Sequence, residues 1–269
     1  MKLKISLALT ALILSSFNHA ETVSNSGGFK PLNDVRVSMQ RMLRSTEGRY
    51  FLSLYAGIWN PHAVMTDLVE NKNISFKGLQ KADQLTLKSV NSETDATENS
   101  MYQLTGTLNA NTGYFKTLLS EGADTFGKNI QFEPAVKVNN KPSFVFKFYS
   151  GDQTTTYGAP LQRVDVVNKN NNQTIQSLTG FAAYPKSIGY MDINFDGYYD
   201  IILSDISQSY SVEDKRYIYW MYNPKTGQFQ RSPQLEKIIG FPNLHGEKQQ
   251  IDFGGGKIYQ VENGLLNRI

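Results

Sequence analysis

The chain has 269 residues, 27 Lys and Arg against 24 Asp and Glu, and no cysteine. That length supports one large or two small domains with a proper core, and the missing cysteine excludes a disulfide framework. No block of five or more like charges occurs, which argues against an electrostatic nucleic-acid or membrane-surface binder.

Lys2 and Lys4, the apolar run from Ile5 to Leu14 and the stretch Ser15 to Ala20 read as a secretory signal peptide cleaved after Ala20. The apolar run is too short to span a bilayer. Residues 1–20 carry two of the 27 basic residues, so 25 then face 24 acidic ones, and the pI of about 8.8 says little about function. A soluble periplasmic or secreted protein is expected. Residues 21–33, rich in Ser, Asn and Gly, form a flexible leader.

Val35, Met39, Met42 and Leu43 fall at i, i+4, i+7 and i+8, which predicts one short amphipathic helix capped by Asn33 or Asp34. From Arg49 onward the helical period disappears. Short runs of Val, Ile, Tyr, Phe and Thr alternate with Gly, Asn and Asp turns at spacings of about 8 to 12 residues, the pattern of an all-β sandwich, barrel or propeller. Two turns echo each other, Asn109 to Phe115 and Asn223 to Phe229, each placing Asn, Thr and Gly before an aromatic strand residue. They suggest blade-like repetition, or simply shared turn chemistry. Asn168 to Gln173 is a polar loop, and Gly254 to Gly256 marks a further turn. Apolar content dips over Glu133 to Ser143, which divides an N-terminal β-meander half (34–140) from a C-terminal half (141–269).

The second half carries the strongest chemical signal. Between the strand-like runs Ser187 to Met191 and Ile201 to Ser204 lie nine residues with oxygen-bearing side chains at positions 1, 3, 5 and 9: Asp192, Asn194, Asp196 and Asp200. Gly197 stands at position 6 for a sharp turn, and the Tyr198 carbonyl is available at position 7. This is a ligand set for a hard divalent cation, above all calcium. Three carboxylates so close repel one another unless a cation neutralises them. The competing reading is a plain Asp/Asn/Gly turn. It is not an EF-hand, since Leu203 occupies position 12 and the flanks are strands. Such a metal would pin a hairpin turn and act structurally, without touching substrate.

His62 and His245 are the histidines left after processing, and their separation suggests no shared site. There is no HExxH pair, nucleophile elbow or phosphate-binding loop. His62 reads as a turn residue beside Pro61. The segment Pro242 to Glu247 reads as a loop that could meet a partner, with Asn243, Leu244, His245 and Glu247 as candidate contacts. Fifteen tyrosines with Trp59 and Trp220 could make an aromatic platform, although Tyr217, Tyr219 and Tyr222 fit a core better. No local pattern selects a catalytic carboxylate pair, and the chain reads as a non-enzyme.

Tyr190-Met191 leading into DINFDGYYDIIL, then YIYWMYNPKTGQF over Tyr217 to Phe229, then Phe241-Pro242 and Tyr259 to Gly264, resembles the FG-GAP-like bacterial envelope proteins. Tyr55 to Ile58 and Leu104 to Leu108 are similar to the meander preceding this region in some of them. The characterised relatives suggested by the likeness are periplasmic β-propeller immunity proteins, which bind calcium and neutralise lysozyme-like peptidoglycan-hydrolase effectors of bacterium-killing type IV secretion systems. The resemblance implies a calcium-stabilised propeller or propeller-like fold, a calcium set of Asp192, Asn194, Asp196, Tyr198 and Asp200, and a hydrolase partner inhibited by occlusion of its cleft. No segment of this chain matches the family's inhibitory loop. The alternative is a module that binds cell-wall or surface glycan through its aromatics.

Overall fold

The computed structural model describes residues 28–269 except 58–59, 93–94, 96, 123–126, 209–210, 212 and 263. The signal peptide, most of the leader and Trp59 lie outside the described residues. The fold is all-β, as the turn spacing implies. Its first half is a meander that closes on itself. Strands β1 (Lys30–Pro31), β2 (Arg36–Ser45), β3 (Tyr50–Tyr55), β4 (His62–Asp67), β5 (Lys72–Lys81), β6 (Gln84–Val90), β7 (Glu98–Leu108), β8 (Phe115–Glu121) and β9 (Lys128–Pro134) come first. From β2 to β9 each strand pairs antiparallel with the next, and β9 returns to β2, making an eight-stranded barrel.

Eight strands leave an interior that side chains just fill. Period-2 alternation supplies them: Tyr50, Leu52 and Leu54 point in, joined by Met65, Phe76, Leu87, Leu104, Phe115 and Phe132. Two wall positions must be glycine. A Cβ on Gly78 would stand 1.9 Å from the Thr86 carbonyl oxygen, and one on Gly106 would stand 2.1 Å from that of Lys116. Close backbone approach of this kind marks bends in a barrel wall.

The predicted N-terminal helix is not formed. Arg36–Ser45 is strand β2, with Gln40 and Met42 on one face and Arg41, Leu43 and Ser45 on the other. Its 3.6-residue apolar spacing is accidental, because both faces are covered and sheet partners satisfy the backbone, overriding a weak local preference. The helix found among the described residues is a single turn, α1 (Pro233–Glu236), begun by Ser232 and Pro233.

The second half stacks three sheets. With β1 go β10 (Phe144–Ser150), β11 (Arg163–Asn168) and β12 (Thr174–Leu178). Next come β13 (Ser187–Met191), β14 (Asp200–Ser204), β15 (Tyr217–Asn223) and β16 (Gln228–Arg231). After α1 follow β17 (Asn243–His245), β18 (Gln250–Asp252), β19 (Ile258–Glu262) and β20 (Leu265–Arg268). The middle sheet is buried on both faces, which is why Ile201, Ile202 and Leu203 form an unbroken apolar run. Ile188, Ile201, Leu203 and Ile218 pack on Val164, Val166 and Leu178 of the first sheet. Met191, Ile202 and Tyr219 pack on Leu244, Ile251 and Phe253 of the last. Strand β13 also runs parallel to the start of β2, from Ser187 beside Arg36 to Tyr190 beside Met39, and so joins this stack to the barrel.

Candidate metal loop and adjoining groove

Eight of the nine residues, Asp192 to Tyr199, connect β13 to β14, and the ninth, Asp200, opens β14 opposite Met191. Phe195 and Gly197 both take left-handed backbone conformations, with φ of 55° and 90°. Gly197 is needed twice over, since a Cβ there would also meet Val138 Cγ1 at 2.6 Å. Asp192 organises the turn: Oδ1 accepts from the Asp196 amide (3.0 Å) and Oδ2 from the Gly197 amide (2.8 Å). Asp196 accepts from the Tyr198 amide and from Asn194 Nδ2, both at 2.9 Å.

Asn194 Oδ1 is buried and has no hydrogen-bond partner. Asp200, fully buried, holds the Ile193 amide (2.9 Å) with one oxygen and the Tyr222 amide (2.8 Å) with the other, so it ties the loop to β15. Among the described residues no three His, Cys, Asp or Glu side chains are gathered tightly enough to hold a metal by themselves. A cation here must therefore draw on the Asn194 oxygen and on main-chain oxygen as well, as the alternating ligand pattern requires.

The electrostatics are those of crowded, desolvated carboxylates. Burial, reinforced by repulsion from Asp196, pushes the Asp192 carboxyl up to about 7. Burial raises Asp200 well above the carboxylate range. Cationic side chains reach the loop from outside it, Lys141 by direct contact and Arg41 through its charge on Tyr199. Lys141, in the connection between β9 and β10, donates from Nζ to the Gly197 carbonyl and sits 3.4 Å from the centre of the Tyr199 ring. Burial lowers its ammonium to about 8 against the opposing pull of Asp192, Asp196 and Asp200. Sequence spacing could not have found it, because it lies 51 positions before Asp192.

The candidate partner residues occupy a different place from the one expected. Asn243 to His245 is strand β17, and Leu244 is buried in the core between sheets. Together with Glu247 they line a groove of about 730 Å³ between this last sheet and the outer wall of β2 to β5. The groove also takes in His62, so the two histidines that seemed unrelated share one concave surface. His62 is no turn residue: it opens β4, its ring stacks on Tyr55 at 4.5 Å and 12°, and its Nδ1 lies 2.9 Å from the Asn60 carbonyl oxygen. A carbonyl can only accept, so Nδ1 carries a proton toward Asn60.

Across the groove His245 Nδ1 stands 3.7 Å from Glu247. That carboxylate raises the His245 imidazole above its ordinary value, against the effect of burial. Gln40 lies on the groove wall at 2% exposure; its Nε2 donates to Ser53 Oγ (2.7 Å), and its Oε1 has no partner. Loop and groove are neighbours. Phe51 lines both the groove and a cavity of about 40 Å³ beside Lys141, Asp192 and Gly246.

Tyr219 and Tyr222 are core residues, and Trp220 is half-buried beside them. The chain matches no known family model and no curated protein.

Proposed function

We propose that the chain is an exported, periplasmic calcium-binding protein that works by binding and not by catalysis, and that its partner is a peptidoglycan hydrolase which it inhibits. The observation that supports the metal is the buried Asn194 oxygen without a partner, set among the buried carboxylates of Asp192 and Asp200 and the half-buried one of Asp196. Asp192, Asn194, Asp196, the Tyr198 carbonyl and Asp200 would hold the ion. Calcium would supply the positive charge that lets these carboxylates ionise while buried. Its role would be to fix the turn between β13 and β14, and with it the stack of sheets. Those three stacked meanders support a propeller-like reading of the second half alone.

Inhibition would be steric. Because the candidate contacts line a concavity, an element of the hydrolase would enter the groove and leave its own cleft blocked. No helix among the described residues is long and apolar enough to cross a membrane. A second reading, a glycan-binding module, is favoured by the mixture of polar side chains and stacked rings that the groove presents.

Two measurements test this. Residues 21–269 should melt higher in calcium than in chelator, by about 2.7 kcal/mol at 100 times the dissociation constant. Identical melting curves would overturn the metal. A peptidoglycan turbidity assay with a panel of lysozyme-type enzymes should show stoichiometric protection by the protein, and clearing at an unchanged rate throughout the panel would overturn inhibition.

A further inference from the structure

We infer that the groove is a saccharide site that takes a chain of N-acetylated hexosamines, with Gln40, Tyr55, His62 and Lys77 as its reading row; this rests on the second, glycan-binding reading. These four residues are consecutive cross-strand partners: Gln40 faces Tyr55, Tyr55 faces His62, and His62 faces Lys77. Neighbouring strands lie about 4.8 Å apart. The row therefore offers an amide acceptor, an aromatic plate, an imidazole and an ammonium donor in a line across the barrel wall. A linear display suits an extended chain better than a compact ligand, and the groove's 730 Å³ falls within the range of about 300–1,000 Å³ usual for ligand sites.

The chemistry narrows the ligand further. Gln40 donates one hydrogen bond from Nε2 to Ser53, and its oxygen is buried and lacks a donor. A buried acceptor left unmatched is costly, so a ligand that brings an N–H to it gains affinity. A sugar acetamide is such a donor on a neutral body. Tyr55 and His62, stacked on each other, bring aromatic surface to the groove for a pyranose to contact, while Ser53 and Ser75 in the neighbouring row offer hydroxyls to its rim. Sites built to bond one polar group reject analogues lacking it, because the buried partner is then stranded.

The test is calorimetric titration of residues 21–269 with a tetramer of N-acetylglucosamine and with the matching tetramer of glucose, alongside sedimentation with isolated peptidoglycan. The acetylated tetramer should bind at least tenfold more tightly than the glucose tetramer. Gln40→Met should remove most of that discrimination. Tyr55→Ala should weaken both ligands, and a cooperative melting transition with an unchanged far-UV circular dichroism spectrum checks that each variant is folded. Equal binding of the two tetramers would overturn the acetamide assignment. If the protein sediments with peptidoglycan and both folded variants sediment equally well, the glycan reading stands and the groove is wrong. If wild type neither binds a tetramer nor sediments, the glycan reading fails together with the site.

Discussion

Asp192, Asn194 and Asp196 are legible as candidate cation ligands because such a ligand set depends on spacing within one short loop, and spacing is what a sequence displays directly. Asp196→Ala or Asp192→Asn should lower the melting temperature and remove its dependence on calcium; a variant that still responds to chelator like wild type would refute the ligand set. Lys141 and Gln40 were not legible. The first reaches the loop through tertiary packing, and the second sat in a stretch whose apolar spacing imitated a helix. His245 was singled out as a candidate contact, but its charge partnership appears only in the fold. Its folded pKa is raised by Glu247, so the pair's contribution is complete below the unperturbed value of about 6.5 and is lost as pH rises through the higher folded value. In an NMR titration His245 should have a midpoint above that of a free histidine, and Glu247→Gln should bring it down.

At the scale of elements the turns were the most readable part. Asn109 accepts from the amides of Asn111 and Thr112, both at 3.0 Å, and Asn223 from that of Lys225 at 2.9 Å, each followed by a left-handed glycine four positions on. The polar loop at Asn168 proves to be the same device, with its side chain bonded to the Asn170 amide and Asn172 as the left-handed residue. The shared pattern thus reflects turn chemistry, and it recurs in barrel and stacked sheets alike. Gly227→Ala should cost about 1–2 kcal/mol in chemical denaturation, since a Cβ is penalised at φ of 70°. Asn172→Gly, by contrast, should change stability little. The helix over Val35 to Leu43 could not be rejected locally, because the three strands that hold β2 are all distant in sequence or join it only after a turn.

Across the whole molecule the sequence announces strands and turns but not closure. Nothing local says that β9 returns to β2, since that depends on the summed twist and bends of eight strands. The contact between barrel and last sheet is equally hidden. Gly246 approaches the barrel so closely that a Cβ would stand 2.4 Å from Met42 Sδ and 2.6 Å from Phe51 Cζ. Gly246→Val should therefore destabilise the fold by roughly 1–3 kcal/mol through overpacking. Because Phe51 borders both cavities, the variant should also alter groove binding and calcium response together, where a purely local effect would change one alone.

Strand β2 belongs to two bodies, and this has a consequence in time. Gln40 to Arg44 pair with β3, whereas Arg36 to Met39 pair with β13, whose residues are encoded 151 positions later (Ile188 against Val37). A growing chain can close its barrel as soon as Pro134 has emerged, yet the leading end of β2 must then wait for its neighbour. At about 5–20 residues per second the delay to Tyr190 is on the order of 3–11 s. Throughout that interval a strip of backbone donors and acceptors projects from a finished barrel, ready to receive any extended segment that arrives first. A holdase or a second nascent chain would compete for the same edge, so the yield of folded protein should fall as synthesis slows.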